Sequence, residues 1–225
     1  MLIDVVELER RNLHGPLPPE VSLLNSATAL YFSGNNLRGP LPTELGLMSS
    51  LGALALGGNA FVHTIPSELG RMTSLYSLDL SFNNLIGTIP TTFGMLTEIF
   101  KLKLNKNQMT GPIPTELGQL TNAFEFYLDV NGLTGTLPSE LGRLTGVREF
   151  AVGFNELSGT LPSELGLFEA PKLIFLDNNR FTGTIPKEFA NMSGSNLEKF
   201  WINNNRFTGT IPPELSRLPL FPHSV

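Results

Sequence analysis

A glycine recurs along this chain of 225 residues at a fixed interval. It stands at Gly15, Gly39, Gly87, Gly111, Gly135, Gly159, Gly183 and Gly209, with His63 filling the one gap. The step is 24 residues throughout, except for 26 at the last. A period of this size means a stack of equivalent units, because one such unit cannot bury its own apolar face and needs its neighbours to do so. Four residues before the glycine stands Asn35, Asn59, Asn83, Asn107, Asn131, Asn155, Asn179 and Asn205, with Arg11 in the first unit. Three and five residues before each Asn the chain is apolar, as at Leu78 and Leu80 before Asn83, and eight before it is usually apolar again, as at Leu75 and Ile99.

The x-L-x-L-x stretch alternates, which predicts a short strand with its leucines on one face. Successive strands then stack in parallel. Asparagine carries both donors and an acceptor and comes where the strand turns away, so it suits a turn whose buried backbone groups need partners. Three residues after the glycine comes a proline, Pro18 through Pro212, preceded by Leu or Ile. Glycine permits a tight turn and proline an irregular, donor-poor segment. The next segment, Ser/Thr-Glu-Leu-Gly, as in Ser67-Glu68-Leu69-Gly70, predicts a short helical turn with Ser or Thr as its cap, Glu at its positive end and Gly at its exit. The recurrent Glu column is therefore read as a helix-start device and not as an acidic ligand site.

Written out, the unit is L-x-x-L-x-L-x-x-N-x-L and then L-x-G-x-I-P. It resembles the plant-specific subclass of leucine-rich repeats, over roughly residues 3 to 218 in nine copies. That subclass occurs in receptor-like kinases, receptor-like proteins and secreted inhibitors of pectin-degrading enzymes. The resemblance implies a right-handed α/β solenoid of nine ~24-residue repeats with a long parallel sheet on its concave face. It also implies that Asn35, Asn59, Asn83, Asn107, Asn131, Asn155, Asn179 and Asn205 turn inward as a structural ladder. The expected role is non-covalent recognition of a protein, peptide or glycan, as the ligand-binding part of a receptor-like protein at the cell surface. The alternatives are a soluble enzyme inhibitor of the pectinase-inhibitor type and an intracellular scaffold.

Composition narrows the function classes. The net charge of -5 and sequence pI near 5.2 argue against general nucleic-acid binding. There is no cysteine, although secreted members of the plant family usually carry disulfide caps; this points to a reducing compartment or to a piece of a longer chain. No basic-then-apolar leader and no apolar run long enough to span a membrane is visible. Nucleotide-loop and kinase signatures are absent, the three histidines (His14, His63, His223) lie on turns and a tail without partners, and the carboxylates recur as a column and not as a unique pair. No catalysis, cofactor or metal is expected.

The chain divides into a repeat domain at 1–218 and a Pro-containing tail at 219–225. Repeat one is the most irregular. Repeats two and three offer small residues on the strand face, among them Ala29, Ala53, Ala55, Gly57 and Gly58. Repeat five (Lys101, Lys103, Lys106) sits between repeats four and six, which carry Asp79, Glu125 and Asp129, and this alternation predicts ion pairs across neighbouring strands. Repeat eight reads as two residues longer in its loop and two shorter before its glycine, which predicts a distorted loop at Phe168 to Lys172; repeat nine is lengthened between Asn191 and Asn196. The residues singled out for binding on the concave face are Tyr31, Asp79, Lys101, Lys103, Tyr127, Phe175 and Trp201, because aromatic and charged anchors dominate binding at interfaces.

Overall fold

The computed structural model describes residues 4–194 and 196–219. Nine three-residue strands, from Val5–Glu7 and Ala29–Tyr31 to Leu173–Phe175 and Lys199–Trp201, form one parallel sheet in strict chain order. Its register steps by 24, as in Leu78 opposite Leu102 and Phe126 opposite Phe150, and by 26 only at the last step, where Phe175 meets Trp201. The central residue of each strand points inward. Leu30, Leu54, Leu78, Leu102, Phe126 and Phe150 are all fully buried. Burial of such a row, at roughly 25 cal/mol per Å² of apolar surface, is what holds the stack together.

On the flank, strands of two to five residues pair in three further small sheets, each running through the glycine step. Here the pairing advances by 22 residues, as in His14 opposite Asn36 and Thr110 opposite Gly132. The repeating glycines lie at positive φ, between 73° and 97°, a backbone state that costs glycine little. His63 adopts it too, at 68°, without that advantage.

The convex side differs from the expectation in three ways. Its helical turns are 3₁₀ turns, most of them five residues long, such as Thr43–Leu47 and Thr115–Gln119, so the outer layer contains no α-helix among the described residues. Ser and Thr do not cap these turns. The cap position is the preceding proline, extended at ψ 131–149° in repeats one to seven, and it makes no side-chain bond. The hydroxyl instead reaches the adjacent carboxylate, as from Thr43 to Glu44 at 3.2 Å and from Ser163 to Glu164 at 3.3 Å. The glycine of the turn is not an exit residue with positive φ either. A Cβ at Gly46, Gly118 or Gly166 would lie 2.4–2.5 Å from the carbonyl oxygen of Glu68, Glu140 or Glu188 in the next repeat. That column is glycine because adjacent turns pack backbone against backbone.

Repeat eight keeps the 24-residue register, with Glu149 opposite Leu173 and Ala151 opposite Phe175. The expected pair of compensating length changes is not realised. Its turn leaves through an extended Phe168, which packs at 5.3 Å against Phe150, and Pro171 is buried where Val147 stands one repeat earlier. Repeat nine is lengthened on its convex side, where the helical segment Lys187–Gly194 runs to eight residues. Of the expected tail, residues 220–225 lie outside the described residues.

Candidate ligand-binding face

The Asn side chains bind backbone on both sides. Nδ2 of Asn107 donates to the carbonyls of Leu104 and Leu80 at 3.1 and 3.0 Å, while its Oδ1 accepts from the amide of Leu85 at 3.0 Å. Asn83, Asn131, Asn155 and Asn179 repeat the pattern. Asn35, Asn59 and Asn205 do so at the two ends of the stack. A rigid, evenly stepped sheet results, and its outward residues are displayed in columns.

The middle of the concave face is a linked polar network. Lys101 and Lys103 both reach Glu125, at 2.8 and 2.7 Å. Tyr127 donates its hydroxyl to Glu149, and Lys103 stands 5.2 Å from the Tyr127 ring. Burial alone would raise the Glu125 carboxyl, but hydrogen bonds from the two lysines outweigh it and hold it below its usual value. Lys101 is raised, first by its hydrogen bond to Glu125 and against the effect of burial. Tyr127 is pushed far up, by burial first and then by Glu149. Asp129 beside them is pushed up to about 6 by burial, which its own backbone amide and Lys106 offset only in part and Asp177 reinforces. One of its carboxylate oxygens is buried without a partner.

The expected residues therefore fall into three groups. Lys101, Lys103 and Tyr127 come together in the centre. Phe175 and Trp201 pack at a tilt of 34°, ring centres 4.7 Å apart, at the far end, with Lys199 at 5.4 Å from the Trp201 ring, and Trp201 is 46% exposed. Tyr31 lies towards the other end, its hydroxyl raised by burial and by Tyr76. Asp79 joins none of these. It accepts from the hydroxyl and amide of Ser81 at 2.6 and 2.9 Å and makes no ion pair with Lys103, although their strands are adjacent. The stretch of small residues is largely covered, with Gly58 exposed and Ala55 half-buried. Ala29, Ala53 and Gly57 are buried, and the Tyr76 ring lies over Gly52, where a Cβ would sit 2.6 Å from it.

Two rows escaped the sequence reading. Just before the strands, Tyr76, Phe100, Phe124 and Arg148 occupy equivalent positions; Phe100 and Phe124 stack at 4.7 Å and Arg148 lies 5.9 Å from Phe124. Just after the strands, Phe82, Lys106, Val130 and Phe154 form a second row. The available signal was the column itself, read one residue outside the alternating stretch.

A different face is formed by the flanking sheets. Thr110, Thr134, Thr182 and Thr208 precede the glycine, with Ser158 in the same column, and Thr136, Thr160, Thr184 and Thr210 come after it. The threonines are exposed. Among the nine hydroxyls only Ser158 hydrogen-bonds the protein, to the carbonyl of Gly135. The Thr136, Thr160 and Thr184 methyls lie over Gly159, Gly183 and Gly209 of the next repeat, where a Cβ would be 2.8–3.0 Å away.

Among the described residues, no group of three or more His, Asp or Glu side chains could hold a metal. No helix there is long and apolar enough to cross a membrane.

A sheet of nine strands at a 24-residue step with an internal Asn ladder defines a leucine-rich-repeat solenoid. The leucine-rich-repeat family model matches residues 26–48, 74–96, 172–192 and 196–218. The chain is similar to the ectodomain of the Arabidopsis thaliana membrane receptor kinase GASSHO1/SCHENGEN3, solved with CASPARIAN STRIP INTEGRITY FACTOR 2: 36% identity, TM-score 0.93, covering 96% of this chain and 26% of that one. It is similar to the plant peptide hormone receptor RGFR1, solved with RGF2: 33% identity, TM-score 0.85, covering 92% and 36%. A plant ice-binding protein matches at 26% identity and TM-score 0.68, covering 93% and 74%. No curated protein sequence matches. The chain thus spans about a quarter to a third of the receptor ectodomains it resembles. It belongs to the leucine-rich-repeat proteins, in the plant-type subclass of these receptor ectodomains.

Proposed function

We propose that this chain is a non-catalytic recognition module that binds a peptide on its concave face, as the ligand-binding part of a receptor-like protein outside the cell. The observation that carries it is the displayed centre and end of the nine-stranded sheet. Lys101, Lys103, Glu125, Tyr127 and Glu149 lock one another in place, and the Phe175–Trp201 pair presents an aromatic platform. Pre-organised polar groups beside an exposed aromatic anchor lower the ordering cost of binding an extended chain. The similar solved structures include a plant peptide hormone receptor in complex with its hormone, which supports the same use of the fold.

The test is selection of linear peptides from a random displayed library on the purified chain. Lys103→Ala and Trp201→Ala each weaken the selected peptides about tenfold, which is 1.4 kcal/mol, and leave the circular dichroism unchanged. Selected peptides indifferent to both substitutions would rule the concave site out.

A second reading rests on the hydroxyl columns of the flanking sheets. Their threonines repeat at the strand spacing of roughly 4.7–4.9 Å, are uncharged, and leave their hydroxyls free for water. With a plant ice-binding protein among the similar structures, this array supports binding to an ice surface. Ice-recrystallisation assays decide it: the chain inhibits growth, and Thr136→Lys with Thr160→Lys and Thr184→Lys abolishes inhibition. A wild-type chain without effect on recrystallisation removes this reading and leaves the first untouched.

A further inference from the structure

The residue just past each concave strand is held in the left-handed region in every repeat. The positions are Arg10, Gly34, Gly58, Phe82, Lys106, Val130, Phe154, Asn178 and Asn204, with φ between 52° and 69°. The backbone demands this. In the middle of the stack the carbonyl of this residue accepts the amide of the ladder Asn one repeat earlier, as Lys106 does from Asn83, Val130 from Asn107 and Phe154 from Asn131, each at 3.2 Å. Gly and Asn occupy that state at least cost, and repeats two, three, eight and nine use them. Repeats four, six and seven instead carry Phe, β-branched Val and Phe.

Those three side chains do not repay the strain by burial in the core. Phe82 and Phe154 are 51% and 54% exposed, and Val130 is 38% exposed. Lys106, between Phe82 and Val130, lays its ammonium 4.2 Å from the Phe82 ring. Strained backbone supporting exposed apolar groups on three of four consecutive repeats is the signature of a surface kept for contact. The ridge spans three strand steps, roughly 14 Å, about the length of four residues of extended chain.

The neighbouring charges say what fits there. Lys101 and Lys103 are already committed to Glu125, Asp79 to Ser81, Asp177 to Asn178, and Tyr127 to Glu149. Lys101, Lys103, Glu125 and Glu149 balance one another in charge, and beside them, apart from the buried Asp129 oxygen, the ridge offers apolar surface. Resting on the reading of the concave face as a peptide site, we infer that the row Phe82, Lys106, Val130 and Phe154 binds the apolar side chains of an extended, weakly charged peptide segment running along the solenoid axis.

The experiment uses the residues that other repeats place in the same turn. The triple variant Phe82→Gly, Val130→Asn, Phe154→Asn is compared with the parent chain in thermal melting and in affinity for linear peptides selected from a random displayed library on the parent. The expected result is a variant that melts no lower than the parent while the peptides, rich in aliphatic or aromatic residues, lose about tenfold or more in affinity. Unchanged affinity overturns the inference. A lower melting temperature does too, since it assigns these side chains a structural role. Peptides weakened by Lys103→Ala or Trp201→Ala but not by the triple variant leave the concave site standing without the ridge; peptides weakened by none of these remove both.

Discussion

At the scale of single residues, the buried amides and the buried acid pull in opposite directions. Asn107 is 9% exposed and serves two carbonyls and one amide across adjacent repeats. Alanine would leave these groups unpaired inside the stack, so Asn107→Ala is expected to cost at least about 2 kcal/mol, read as a fall in denaturation midpoint. Asp129 works the other way. Its folded pKa is pushed up to about 6, mainly by burial, while the unfolded chain ionises at the ordinary carboxylate value. Between the two the folded state holds the extra proton, so stability falls as pH rises through that window. Allowing for its partial exposure, the loss at neutral pH is about 1–2 kcal/mol. Asp129→Asn therefore melts higher than the parent at pH 7, and the difference shrinks as pH falls through 6 and vanishes below the ordinary carboxylate value. Glu125, held below its usual value, contributes stability that is lost only at still lower pH.

At the scale of the element, each convex turn is fixed by contact with the next. The glycine column exists because the Glu carbonyl of the adjoining turn occupies the space a Cβ would need, 2.5 Å away at Gly118. A backbone carbonyl cannot rotate aside as a flexible side chain can. Gly118→Ala is accordingly expected to destabilise the chain by about 1–3 kcal/mol through overpacking, even though alanine is ordinarily the better helix former. Chemical denaturation of the single variant measures it, and a neutral or stabilising result would contradict the packing role. The same comparison explains why the Ser and Thr hydroxyls are not caps. Proline holds the cap position and the adjacent Glu is the nearest acceptor.

At the scale of the molecule, the solenoid is a one-dimensional stack whose repeats contact only their neighbours. From Leu30 to Phe181 the core is continuous, with most inward residues fully buried. Towards the ends it opens: Leu8 is 38% exposed, and Ile211 is 71% exposed. Hydrogen exchange is expected to be slowest in the strands of repeats three to seven and to quicken stepwise outward, because local opening tracks the density of buried contacts. Uniform protection along the chain would contradict this gradient.

The 24-residue period by itself determined the solenoid, the parallel strand order, the inward leucines and the positions of the ladder asparagines. These arise from local alternation and from the need of each repeat to be covered by an equivalent neighbour. The concave columns holding Lys103, Tyr127, Phe175 and Trp201 were legible for the same reason. Only the tertiary structure decided what each outward residue meets. Tyr76 covers Gly52 and reaches Tyr31 two repeats back, Asp79 turns to Ser81 and away from Lys103, and both lysines converge on one glutamate. Nor did the pattern announce that Phe82, Val130 and Phe154 stand in a left-handed turn with their side chains in solvent. Alternation tells which face a residue occupies; the partner across the face comes from another repeat, and its reach and charge are set by packing that no single repeat contains.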